Sequence, residues 1–187
     1  MSDEGKSPMG ILFLVVLVDM IGFTIVIPFL TYFVQDLATA DGITDVGSRD
    51  LWVGIVISVY SLAQFIFTPI LGSLSDRMGR RPILMFGLLS NTVFFTIFVL
   101  SGSPTMAVVA RFLAGAGNGN IAVARAYIGD ISESKDVAKR MGMIGAAFGL
   151  GFMIGPFIGG VLSDPAAGIG PPFDGQIWVD HPYLLPC

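Results

Sequence analysis

Two residues of opposite charge, Asp19 and Arg111, lie inside otherwise apolar stretches of this 187-residue chain. Asp19 falls about 13 Å along the run that opens at Ile11, at ~1.5 Å per helical residue, which puts a carboxylate near the middle of a hydrocarbon layer ~30 Å thick. An ionisable group at that depth is expensive and by default marks an ion or substrate pathway. Its partner decides whether it titrates near neutral pH, and Arg111, entering the fourth run from the opposite face, is the leading partner. A purely structural buried pair is the competing reading. A second cluster, Gly72 to Arg81 (GSLSDRMGRR), sets Asp76 beside Arg77, Arg80 and Arg81 in a short loop between two apolar runs. Gly72 and Gly79 permit close backbone approach and a tight turn, and Pro82 suits the first turn of a following helix. Simple anchoring by positive charge accounts for the arginines of this loop, but not for its acid or its glycine spacing.

The elements that must position these groups are membrane helices. The chain is 53% hydrophobic and 13% charged, with a mean hydropathy of +0.79, too apolar for an average soluble domain. Apolar runs cover residues 11–33, 51–71, 83–100, 105–128 and 141–162. Each is long enough to span a bilayer, and a backbone in lipid must satisfy its own hydrogen bonds, so each reads as a helix. The expected fold is therefore an all-α integral membrane bundle over 11–162, with a polar tail at 1–10 and a second tail at 163–187. In that second tail Tyr183, Leu184 and Leu185 begin a sixth apolar run that does not develop. The first run lacks a signal-peptide cleavage site and reads as a retained span.

Charge segregation matters more than the net −4. Lys6 in the N-terminal tail, Arg77, Arg80 and Arg81 after the second run, and Lys135, Lys139 and Arg140 after the fourth place those segments in the cytoplasm. The opposite side holds Asp36, Asp41, Asp45 and Asp50 against Arg49, an uncharged turn at 101–104, and a tail with Asp164, Asp174 and Asp180. Several functions are disfavoured by the same reading. Cys187 is the single cysteine, His181 the single histidine, and no GxxxxGK[ST] loop occurs, so neither a metal site, a cofactor nor ATP hydrolysis is indicated. The bases sit in short membrane loops, which argues against a nucleic-acid partner.

Along the fourth run Arg111, Asn118 and Arg125 recur every seven residues and fall on one stripe of a continuous helix, which should face a cavity. Arg125 could equally snorkel to the interface. Gly115 and Gly119 form a small-residue pair suited to helix packing. In the fifth run Gly151, Gly155 and Gly159 make a groove at four-residue spacing for a neighbouring helix, and Pro156 kinks the segment.

These motifs resemble those of the major facilitator superfamily of secondary transporters. GxLxDRxGRR is similar to its loop signature, and RFLAGAG, Arg111 to Gly117, to its fourth-helix signature. Gly142, Gly151, Gly155, Pro156, Gly159 and Gly160 resemble the fifth-helix signature that separates antiporters from symporters and uniporters. Within the superfamily, DMIGFTIVIP, SLAQFIFTPILGSLSDRMGRRPIL and AYIGDIS through GPFIGG look closest to the twelve-helix drug and tetracycline antiporters. The likeness covers most of residues 11–160. It implies that Asp19 and Arg111 handle proton coupling. It further implies that Gly72, Asp76, Arg77, Gly79, Arg80 and Arg81 form a gate with Asp130, in a charge network that latches one conformation. By the same likeness Gln64 lines the substrate cavity, with Asn91, Asn118 and Arg125 as further polar candidates. Two departures, the absence of an acid from the third run and the extra charge of Arg125, disfavour a tetracycline and metal chelate as substrate.

The expectation is thus a proton-coupled antiporter that exports small organic molecules by alternating access. Its partners are membrane lipids, a small-molecule substrate and protons. A uniporter or symporter is the alternative within transport. Five helices fall short of the six-helix half from which such transporters are built, so the chain is expected to be an N-terminal fragment that lacks a C-terminal half or associates with a full-length partner. A non-transporting truncated membrane protein is the alternative from another class. The membrane is a plasma, bacterial inner or organelle membrane.

Overall fold

A computed structural model describes residues 8–162, and these are helical apart from short breaks. Lys6, the tail acids, His181, Cys187 and the aborted sixth run lie outside the described residues. The opening run forms α1 (Pro8–Ile25) and α2 (Ile27–Ala40). Pro28 has no N–H for the carbonyl four residues back and crowds that turn, so the helix is interrupted at Val26. Next come α3 (Val46–Met78) and α4 (Arg80–Val99), then α5 (Pro104–Gly117), α6 (Asn120–Ile131) and α7 (Ser134–Leu162). Together they supply five spans long and apolar enough to cross a membrane, with α1 joined to α2 and α5 to α6.

The helices outrun their apolar stretches. Where the composition marked a span at 51–71, α3 begins at Val46 and continues to Met78. Its start is set by Asp45, whose extended backbone lets the carboxylate accept the Ser48 N–H at 2.8 Å. That bond holds the Asp45 carboxyl below the usual carboxylate range. The segment read as a loop from Gly72 is helical up to Gly79, which alone stands outside the two helices at a φ of 96°. Hydropathy reports depth in lipid, whereas a helix ends where its backbone bonding ends, and a polar turn can project into water. The fourth run differs in the other sense, because Asn118 and Gly119 divide one apolar stretch into α5 and α6.

Packing pairs α1 chiefly with α7, and α5 with α3 and α4. One apolar cluster, containing Leu12, Val16, Leu84, Ile128 and Ile144, lies toward the end that bears Arg77 and Lys135. A second, containing Phe29, Phe33, Val56, Phe98 and Ala107, lies toward the end that bears Asp36 and Asp45. Between them runs a buried polar layer of Asp19, Thr24, Ser90, Asn91, Arg111, Asn118 and Asn120. Large apolar side chains cover the outside, with Phe65 81% and Phe157 73% exposed, as suits a surface bathed in lipid.

Glycines set the closest approaches. A side chain at Gly151 would overlap Met20, one at Gly155 would overlap Thr24, and one at Gly159 would overlap the Ile25 carbonyl oxygen. The gap at the first two is closed by the Thr24 hydroxyl, which donates to the carbonyls of Met20 at 2.7 Å and of Gly151 at 2.9 Å. Gly142 and Gly160 face open space. Gly159→Ala should therefore force α7 off α1 and lower stability by about 1–3 kcal/mol. Gly160→Ala should leave it near the native value. Thermal unfolding of the two variants in detergent checks the contrast, and equal midpoints would contradict this packing.

Candidate functional site

Asp19 is 2% exposed on α1, and its Oδ1 accepts two amide bonds, from Asn91 Nδ2 at 2.7 Å and Asn120 Nδ2 at 2.9 Å. Asn91 comes from the middle of α4. Asn120 is the first residue of α6, so the break after Gly117 brings the positive end of a helix to the carboxylate. Room for the Asn120 amide is made by Gly87, where any side chain would overlap it. Oδ2 of Asp19 and the Oδ1 atoms of both amides have no hydrogen-bond partner among the described residues. Asp19 and Asn91 line a cavity of about 310 Å³ between α1 and α4, together with Gly22, Thr92 and Phe95.

Arg111 occupies a different environment. It is 3% exposed, and its guanidinium carbon lies 4.6 Å from the ring centre of Phe98, 5.3 Å from that of Phe95 and 5.6 Å from that of Tyr60. Rings at those distances attract a cation through their quadrupoles, and the attraction grows when water is excluded. Tyr60 in turn accepts a 2.7 Å bond from Asn118 Nδ2 and stacks on Phe23 at 5.4 Å. Arg111, Tyr60 and Phe23 line a second cavity of about 300 Å³, with Thr31 and Ser61 as polar edges. The hydrogen bonds to Asp19 thus come from neutral amides, while Arg111, its expected partner, is clasped by aromatic rings.

The polar candidates separate accordingly. Asn91 belongs to the Asp19 site. Asn118 is buried and holds Tyr60, because the helix break turns it away from the straight stripe it would share with Arg111 and Arg125. Arg125 is exposed and Gln64 half-buried, and neither lines these two cavities. Asn120 was missed by sequence reasoning. The signal was present in the triplet Asn118, Gly119, Asn120, since a glycine between two amides interrupts an apolar run where a helix is easily broken.

At the basic end the charged cluster assembles around Arg80. Its Nη2 pairs with Asp76 at 2.6 Å, its Nε with Asp130 at 2.9 Å, and its Nη1 donates to the Ser75 hydroxyl at 2.6 Å. The fork of one guanidinium therefore ties the end of α3 to the end of α6 across the start of α4. Arg77 and Arg81 are exposed. Arg140 closes the C-terminus of α6 by donating to the Ile131 carbonyl at 3.1 Å and to Ser132 at 3.2 Å.

The Asn118 to Tyr60 bond can be tested by paired substitution. Tyr60→Phe should leave a buried amide donor unmatched and cost about 1–3 kcal/mol. Asn118→Leu in the same background should recover part of that loss, because it removes the stranded group. Additive losses in detergent unfolding would mean that the bond does not form.

Comparison with known proteins bears on the family and the fold. The family model described as Major Facilitator Superfamily matches residues 12–173. The chain is 36% identical over 147 residues to the class C tetracycline resistance protein of Escherichia coli, a match that covers 79% of this chain and 36% of that protein. It is 32% identical over 161 residues to the Arabidopsis thaliana protein Zinc Induced Facilitator 1, covering 86% of this chain and 32% of the relative. Among solved structures, the human organic anion transporter MFSD10 (TETRAN) superposes with a TM-score of 0.69 at 26% identity, over 81% of this chain and 40% of that one. The chain spans about a third of the length of these two curated relatives. With a family match across most of its length, and a multi-pass helical bundle to carry it, the chain belongs to the Major Facilitator Superfamily.

Proposed function

We propose that the protein to which this chain contributes is a proton-coupled antiporter that moves small organic molecules outward by alternating access. The observation that carries the reading is the buried Asp19 carboxylate, held by amides at the wall of a cavity in the middle of a span. A carboxylate at that depth is costly to insert compared with an apolar residue, which marks it as a functional group. Neutral amide partners leave it free to gain and lose a proton, whereas a bonded guanidinium would hold it ionised. Arg111, in its aromatic cage beside the second cavity, supplies a fixed positive charge close to the same layer.

In this reading the basic end faces the cytoplasm, because short loops rich in Lys and Arg are retained there. The Asp76, Arg80 and Asp130 cluster acts as a latch on that side. Arg80 is 15% exposed, while Asp76 and Asp130 are 60% and 55% exposed, so the acids can separate into water at modest cost when the helices shift. Glycines 151, 155 and 159 keep α7 against α1 during that movement. The name of the Escherichia coli relative supports a drug-like substrate. The aromatic second cavity supports a molecule with a flat apolar part and a polar edge.

The test is substrate-driven proton flux in proteoliposomes containing the protein made from its complete reading frame, screened over lipophilic drugs. Flux is expected in the native protein and should fall to background in Asp19→Asn, with substrate binding retained. Asp130→Asn should keep coupling but raise labelling of a cysteine placed beside Met78 from the cytoplasmic side. Transport with no proton movement, unchanged by Asp19→Asn, would favour a uniporter and remove Asp19 from the mechanism.

A further inference from the structure

We infer that Asn91 and Asn120 are positioning residues that serve Asp19 in both of its protonation states, by exchanging the roles of donor and acceptor. The inference rests on Asp19 being the proton site proposed above. In the observed arrangement Oδ1 of Asp19 takes an N–H from each amide, which is the pattern a carboxylate needs. Oδ2 carries no bond from a described residue, so both amides converge on the one oxygen Oδ1. A proton added to Oδ1 makes a buried O–H donor that requires an acceptor. Two lie in the same cluster, the Oδ1 atoms of Asn91 and Asn120, and both lack a partner among the described residues. Rotation of one amide about its terminal bond turns that oxygen to the O–H, while the other amide keeps its N–H on Oδ1. One bond is exchanged for another, so the carboxyl keeps two hydrogen bonds in either state.

The two side chains hydrogen-bonded to Asp19 are both amides, each with a donor and an acceptor. Tyr60 on α3 is the titratable group whose charge state is coupled to Asp19, and Arg111 on α5 lies against the ring of that tyrosine. An arginine has donors only and would favour the ionised state alone. Tyr60 is already engaged by Asn118. On the α7 side the Gly151 carbonyl accepts from Thr24. The two amides are also fixed from separate elements, Asn91 in the middle of α4 and Asn120 at the start of α6, so each can turn without the other.

Gly87 gives an independent handle on this geometry. A methyl group there would press on the far end of the Asn120 side chain, which can swing aside, and the three atoms nearest to it all belong to that amide group. Gly87→Ala should thus act like loss of the Asn120 amide without deleting a polar group.

The experiment is an infrared difference spectrum, acidic minus alkaline buffer, on the full-length protein in liposomes. The native protein should show a protonated-carboxyl C=O band that disappears in Asp19→Asn. In Asn91→Ala, in Asn120→Ala and in Gly87→Ala that band should persist but move to higher frequency, because the C=O or its O–H has lost a hydrogen-bond partner. Arg125→Gln, remote from both cavities, should leave it in place. A band that Asp19→Asn removes and that all three variants leave at the native frequency would overturn the inference while sparing Asp19 as the proton site. Absence of any band sensitive to Asp19→Asn would overturn both. Should one variant fail to fold, the other two alter the same cluster and decide the matter.

Discussion

A carboxylate at the depth of Asp19 has to be solvated by protein, because hydrocarbon offers no hydrogen bond, and much of the bundle can be understood as what that requirement demands. Amides must reach Oδ1 from two directions, so α4 and α6 must both approach α1. Asn120 can do so only as the first residue of a helix that starts inside the membrane. That in turn needs the break at Asn118 and Gly119, and the break needs its exposed backbone groups shielded from lipid. The apolar clusters above and below close the polar layer from either end.

Close helix contacts provide the shielding. Gly115 lets α5 rest on the Tyr60 carbonyl of α3, and Gly117 sits against Ser90 of α4, where side chains would collide. With little hydrophobic force between helices in lipid, such backbone proximity and a few buried hydrogen bonds hold the assembly. The same logic joins α7 to α1 through Thr24 and the glycine groove. Two helix pairs are therefore tight, α1 with α7 and α3 with α5, and the amides that reach Asp19 come from α4 and α6.

The spans were legible in the sequence because length and hydropathy are what a bilayer selects, and Asp19 stood out as the one charge within the first apolar run. The meeting of Arg80 with Asp76 and Asp130 was legible only through resemblance, since nothing local in residues 72–81 points to residue 130. The partners of Asp19 were not legible. Formal charge suggests Arg111, but which side chains face each other depends on the rotation of α5, and that rotation is set by glycines and by a helix break that a purely apolar count passes over. Helix ends were misjudged for a related reason: Asp45 and Gly79 start and stop α3 through backbone geometry, outside the apolar stretch.

The break has a mechanical consequence. α6 is only 12 residues long, about 18 Å at ~1.5 Å per residue, and is released from α5 at one end and capped by Arg140 at the other. Its first side chain grips Asp19, and the acid one residue before its last grips Arg80. A short rod is thus held by a polar partner at each tip. A continuous helix through Gly119 would instead put Asn120 and the aromatic cage of Arg111 on one rigid axis. The break lets the amide end of α6 and the cavity wall on α5 be oriented separately.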